Sequence, residues 1–146
     1  MKRTRMLECV VLLLIVLWTY TAFSKLFAYP ATVLQLQHMP FIAPAAGFAG
    51  WFIPATEFII AVLLVANNYR MAGLWASLVL ISIFTFYLAF AMGSGEKLPC
   101  SCGGIISTLS WTGHLVFNTG VALLTAITLL QQHYFFKRRK PPAVTM

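Results

Sequence analysis

The sequence predicts an all-α integral membrane protein, a bundle of four spanning helices, and three observations lead there. Of its 146 residues, 60% are hydrophobic and only 9% charged, far from the balance of a water-soluble domain. The apolar residues fall into four unbroken runs, each close to the roughly 20 residues that cross a hydrocarbon core. None of the runs alternates with period two, as barrel strands do, and lipid admits only helices and closed barrels because no water is present to satisfy the backbone. A chain of this length reads as one domain, residues 1–146.

The first span runs from about Cys9 to Leu26. It follows Met-Lys-Arg-Thr-Arg, the opening of many signal peptides, but Ala22-Phe23-Ser24 is a poor cleavage site, so the segment is read as an uncleaved span. Residues 27–49 form the longer connection, broken by Pro30, Pro40 and Pro44. Within it, Val33, Leu34 and Leu36 among Thr32, Gln35 and Gln37 predict a short helix over 31–38, lying at headgroup depth as a lid. The second span runs from about Gly50 to Ala66, and Asn67-Asn68-Tyr69-Arg70 is a turn short enough to make the second and third spans an antiparallel pair. The third span, about Met71 to Met92, leads into the connection 93–110. Ser110 then stands as N-cap of the fourth span, about Trp111 to Tyr134, without a capping box.

Four spans put both termini on one side, and the net charge of +7 says which. Lys2, Arg3, Arg5, Arg70, Lys137, Arg138, Arg139 and Lys140 share the side of the termini, leaving Lys25 and Lys97 opposite. Basic residues accumulate in the cytoplasm, so both termini are expected there and both longer connections outside, as in a multi-pass protein of the bacterial cytoplasmic (inner) membrane. Trp51 and Trp111 at one boundary and Tyr69, Trp75 and Tyr134 at the other match an aromatic belt. The basic ends require the lipid bilayer and its anionic headgroups as partner, and no nucleic acid.

The chemistry concentrates in Pro-Cys-Ser-Cys-Gly-Gly, which holds Cys100 and Cys102, two of the three cysteines. Outside the cell such thiols pair and persist as disulfides. A ring closed between residues two apart departs from relaxed disulfide geometry and is easier to reduce, yet it removes little chain entropy. It suits electron exchange better than stapling. Gly103 and Gly104 leave the adjacent backbone open to another protein, and the coming helix N-terminus favours a thiolate. Two plainer readings stand beside this: an inert loop disulfide, and a soft-metal site with His38, Met39 and His114, for which no ligand spacing exists, so no metal is assigned. Cys9 lies at the opposite end of the bundle, out of reach of the pair.

Lys25, Glu57 and His114 are polar residues expected at a common depth below the cysteines, with Glu57 about two turns into its span. An ionisable group inside a span is costly unless paired, so Lys25 and Glu57 are expected to pair, either to fix helix register or to relay protons. His114, with Asn118 one turn deeper on the same face, either shuttles a proton or donates to a quinone carbonyl, or is simply an interfacial histidine held by water. Ser82 and Thr85 are expected to bond their own helix backbone. The chain contains no Asp, phosphate loop, His-Glu-x-x-His or nucleophile elbow, which excludes the common hydrolase and kinase chemistries.

Ser24-Lys25-Leu26 closing the first span, Pro54-Ala55-Thr56-Glu57 in the second and Cys100-Ser101-Cys102-Gly103-Gly104 before the fourth resemble the MauE/DoxX family of redox-associated membrane proteins, in its MauE-like branch. The resemblance implies a four-helix membrane protein tied to disulfide formation in periplasmic, often thioredoxin-like, partners. Its DoxX side implies a membrane quinone as electron acceptor. Many relatives carry an aromatic residue where this chain has Gly103. The expected function is thus thiol:disulfide exchange, with Cys100 attacking, Cys102 resolving, and Lys25, Glu57, His114 and Asn118 in support. The alternative is a non-enzymatic membrane subunit or assembly factor whose loop disulfide is structural.

Overall fold

The structure, a computed structural model, describes residues 2–39, 41–93 and 111–139. Cys100, Cys102, Gly103, Gly104, Ser110 and the rest of 94–110 lie outside the described residues, as do residues 140–146. The described residues form five helices, α1 (Lys2–Phe27), α2 (Tyr29–Gln37), α3 (Ala46–Val65), α4 (Arg70–Gly93) and α5 (Trp111–Arg139), with 3-10 turns at Ala43–Ala45 and Asn67–Tyr69. No strand occurs among them. Four segments are long and apolar enough to cross a membrane: Arg5–Phe27, Ala43–Val65, Asn67–Gly93 and Thr112–Tyr134.

The helices outrun the apolar stretches that announce them. α1 starts at Lys2 rather than near Cys9, since Lys, Arg, Met, Leu and Glu are all good helix formers and helical hydrogen bonding does not stop where polarity begins. At the other end of the chain α5 continues past Tyr134 to Arg139 for the same reason. α3 starts at Ala46 rather than Gly50, because Gly47 and Gly50 continue the helix instead of ending it. Glu57 therefore stands eleven residues after the first residue of α3, three turns in rather than two, about 16 Å along the axis.

Lys25, by contrast, is two residues from the end of α1, and it meets Glu57. The end of α1 thus lies well below the start of α3, and α2 fills the difference. Thr32 turns its hydroxyl onto the Lys25 carbonyl at 3.2 Å, satisfying one of the acceptors that a helix end leaves free. α2 packs across the first turns of α3 at Gly50, where a Cβ would stand only 2.8 Å from Val33 Cγ2. Phe41, beyond α2, takes a left-handed backbone (φ 68°) and brings its ring to 6.3 Å from Phe90 near the end of α4. The ends of α1 and α4 and the starts of α3 and α5 share one end of the bundle, here termed the loop end, and the start of α1 and the end of α5 share the other.

Lipid tails are as apolar as leucine, so helices in a membrane associate by close packing and polar contacts rather than by escape from water. Small residues accordingly sit at the helix contacts: Ala22, Ala61, Gly73, Ser77 and Ala91 are all buried. Gly73 lets the start of α4 close on the end of α3, with space for a Cβ only 2.9 Å from Leu64 Cγ and 3.0 Å from the Leu64 backbone nitrogen. Toward the terminal end the core is tight, built from Val10, Val11, Leu14 and Trp18 of α1, Ile60, Ala61 and Leu64 of α3, Leu74 and Ile81 of α4, and Val121 and Leu129 of α5. Thr125 and Thr128, also buried, spend their hydroxyls on Val121 and Leu124 carbonyls of their own helix at 2.8 Å. Thr85 does likewise to Ile81 at 2.6 Å, while Ser82 is exposed. Trp51, Tyr69, Trp75 and Tyr134 all turn outward, at the depths where interfacial aromatics belong.

Gly73→Ala is expected to destabilise the bundle by about 1–3 kcal/mol, the usual cost of forcing a methyl group into a closed contact. Gly120→Ala, at a site with nothing within 4 Å of an added Cβ, serves as control and is expected to leave stability unchanged or slightly raised. Thermal melts in nanodiscs distinguish the two.

Candidate functional site

Between the tight core and the loop end, α1, α3 and α4 meet at the Lys25–Glu57 pair. Pro54, one turn before it and fully buried, removes a backbone donor, so the Gly50 carbonyl has no helical partner at that point. Glu57 itself is 0% exposed. Its Oε1 accepts from Lys25 Nζ of α1, the pairing anticipated from charge and depth. Its Oε2 has no hydrogen-bond partner among the described residues.

Lys25 is held from two sides. Besides Glu57, its ammonium stands 5.7 Å from the centre of the Phe84 ring of α4, at cation–π distance. Phe84 also contacts Trp18, with centroids 6.5 Å apart, and Trp18 Nε1 donates to Ser77 Oγ at 2.9 Å. Trp18 and Lys25 are seven residues apart on α1, and so are Ser77 and Phe84 on α4. Two helical turns separate the members of each pair, which puts both contacts on one seam between parallel helices. Thr21, also on that face of α1, has its hydroxyl 3.2 Å from the Trp18 carbonyl and also within hydrogen-bonding reach of the Glu57 carboxylate. Lys25 remains 28% exposed, the one partly open member of the ion pair.

His114 and Asn118 of α5 are both half-buried, and His114 lies within electrostatic reach of Lys25. Here the packing is loose. None of residues 112–120 of α5 is buried, and α1 and α5 touch far less than α1 and α3 or α4 and α5 do. The loop-end half of α5 therefore leaves the polar group open on one side.

Of the residues singled out in the sequence, the structure joins Lys25 and Glu57 directly and sets His114 and Asn118 on the adjoining face of α5. Cys100 and Cys102 lie outside the described residues. His38 is exposed, with Nδ1 donating to the Leu34 carbonyl at 2.7 Å, and Cys9 is exposed on α1 near the terminal end. Among the described residues no group of three or more His, Cys, Asp or Glu side chains is placed to hold a metal ion. Trp18, Thr21, Ser77 and Phe84 escaped the sequence reading. Their available signal was the seven-residue spacing from Trp18 to Lys25, which places an indole and an ammonium on one helix face.

Chemically, the group offers one ammonium donor, one buried carboxylate oxygen without a donor, an aromatic face and an imidazole. Removing Lys25 or Glu57 alone strands the other charge in a low-dielectric interior. Lys25→Met or Glu57→Leu is therefore expected to destabilise the bundle by about 3–5 kcal/mol, nearer the lower figure for Glu57→Leu because Lys25 is partly solvated, and the double replacement by much less. A double-mutant cycle on thermal melts measures the coupling.

A family model described as methylamine utilisation protein MauE matches residues 3–131. Neither a curated protein nor a solved structure matches the chain.

Proposed function

The chain belongs to the MauE family, and on that premise we propose that this multi-pass membrane protein is a thiol:disulfide redox protein of the bacterial cytoplasmic membrane. Its loop end faces the periplasm, where Cys100 and Cys102 exchange with a thioredoxin-like or other cysteine-containing partner. The observation that carries the reading is the Lys25–Glu57 ion pair, with His114 of α5 within electrostatic reach of Lys25, in the half of the bundle toward the ends of α4 and α5 that the chain segment containing Cys-Ser-Cys-Gly-Gly joins. The family's description supplies a setting in methylamine utilisation.

In the oxidising direction a partner thiolate attacks the sulfur of Cys100, and Cys102 leaves as thiolate. The partner's second thiolate then displaces Cys100, so the partner gains a disulfide and Cys100 and Cys102 retain two electrons and take up two protons. Lys25 supplies fixed positive charge that favours a departing thiolate, and His114 holds or passes a proton. Lys25 belongs to α1 and His114 to α5, and the segment that carries the cysteines follows α4 and precedes α5.

Resetting the pair requires a two-electron, two-proton acceptor, and no second cysteine pair exists to carry electrons elsewhere. Lys25 and His114 would offer donors to the carbonyls of a membrane quinone. Such a group, when bound, supplies the oxidising equivalents.

Replacing Cys100 and Cys102 together with Ser is expected to abolish oxidation of the partner's thiols, read by mass-tagged alkylation, at unchanged abundance of the protein. Loss of the protein itself, or no effect on the partner, would instead support a membrane subunit or assembly factor with a structural disulfide. In the unaltered chain, depletion of membrane quinone is expected to increase the reduced fraction of Cys100 and Cys102. A fully oxidised pair in both conditions would end the quinone coupling.

A further inference from the structure

We propose that Arg70 anchors a discrete anionic-phospholipid site at the terminal end of the bundle, where its guanidinium takes a lipid phosphate. The proposal stands apart from the redox reading. It begins from the inward face of α4. Gly73, Leu74, Ser77 and Ile81 are buried along that face, and Arg70 stands at its head, one turn before Leu74. Helical side chains lean toward the helix N-terminus, so the Arg70 side chain reaches from the core toward the terminal end. It is half-buried there, and its Nε is enclosed without an acceptor among the described residues. Such burial suits an arginine that lays its stem on apolar surface and keeps its head among polar groups.

No carboxylate of the described chain supplies a counter-charge for it. Lys25–Glu57 is the one ion pair among the described residues. Of the three acidic residues, Glu57 is thus engaged, Glu96 follows α4 on the loop-end side, and Glu8 is exposed on α1 without pairing to Arg70. Basic residues meanwhile crowd the terminal end. Lys2, Arg3 and Arg5 open α1, and Lys137, Arg138 and Arg139 close α5. Tyr69 and Tyr134, both exposed, mark the headgroup level beside them. An excess of positive charge at three helix ends, with Glu8 the one described acidic residue there, calls for anions from outside the chain.

Depth and chemistry name the occupant. At the end of a span, beside interfacial tyrosines, the abundant anion is the phosphate of a lipid headgroup, and a guanidinium meets phosphate oxygens through paired, charge-assisted hydrogen bonds. A zwitterionic lipid also carries phosphate, but its own ammonium offsets the attraction of the basic helix ends, so a net-anionic headgroup is preferred. The basic ends attract such lipids diffusely. Arg70 adds a fixed point, because burial already restrains its stem and less side-chain freedom is lost on binding. Arg5, exposed on α1, lacks that restraint.

The full-length chain in neutral detergent is titrated with dioleoylphosphatidylglycerol and with dioleoylphosphatidylcholine, and the first bound lipid is followed by native mass spectrometry. Phosphatidylglycerol is expected to bind at least about fivefold more tightly, the effect of one basic residue near a membrane surface. Arg70→Gln is expected to remove most of that preference, and Arg5→Gln to change it by less than about twofold, as for an exposed charge. A second measurement needs no variant. In the unaltered chain, phosphatidylglycerol carrying a photoreactive diazirine at its headgroup is expected to label the α3–α4 turn around Arg70. Equal binding of the two lipids, equal losses in Arg5→Gln and Arg70→Gln, or labelling that spares the turn overturns the proposal. Displacement of the lipid by inorganic phosphate at the lipid's own concentration would mean a free-anion site and overturns the lipid assignment.

Discussion

The Lys25–Glu57 ion pair is the constraint on which the arrangement of the bundle depends. Glu57 is placed three turns into α3, where no water can reach it, so a fixed counter-charge has to come to it. That requirement sets how deep α1 ends, and the depth of α1 in turn leaves room for α2 over its end. The same ammonium also touches Phe84, which ties α4 to the pair, and the Trp18–Ser77 hydrogen bond two turns deeper fixes the rotation of α1 against α4. In lipid, where burial of apolar surface gives no net drive between helices, a few polar contacts and small-residue approaches such as Gly73 on Leu64 carry the specificity.

The bundle is unevenly packed along its length. Toward the termini all four long helices contribute buried side chains to one core, and its hydroxyls are satisfied within their own helices. Toward the loop end residues 112–120 of α5 contribute none, and the Lys25–Glu57 pair of α1 and α3 lies in that half. The tight half holds the helices in register, and the half toward the loop end is packed more loosely on the α5 side.

Much of the fold was legible in the sequence because lipid allows so few solutions. Runs of apolar residues of spanning length, interrupted by Asn-Asn-Tyr-Arg and by prolines, leave little choice but four helices and a short connecting helix. Opposite charges on Lys25 and Glu57 announced a pair for the same reason: neither is tolerable alone. Helix ends were less legible, since Lys2 to Glu8 and the glycines of early α3 read as boundaries by polarity and flexibility but continue helices whose hydrogen bonds ignore both. The role of Cys100 and Cys102 rests on their spacing and their surroundings in the chain.

The sequence by itself determined the membrane class, the number of spans and the need for a Lys25–Glu57 pair, because the energy of placing charge and bare backbone in lipid is large and independent of detail. Only the tertiary structure decided how deep that pair lies, that Phe84 and Thr21 flank it, that one carboxylate oxygen is left without a donor, and that α5 stands off at the loop end. Those outcomes depend on the rotation and axial offset of each helix. Both are fixed by contacts between residues far apart in the chain, such as Leu64 with Gly73 and Trp18 with Ser77, whose individual energies are small and whose sum has no signature in local pattern.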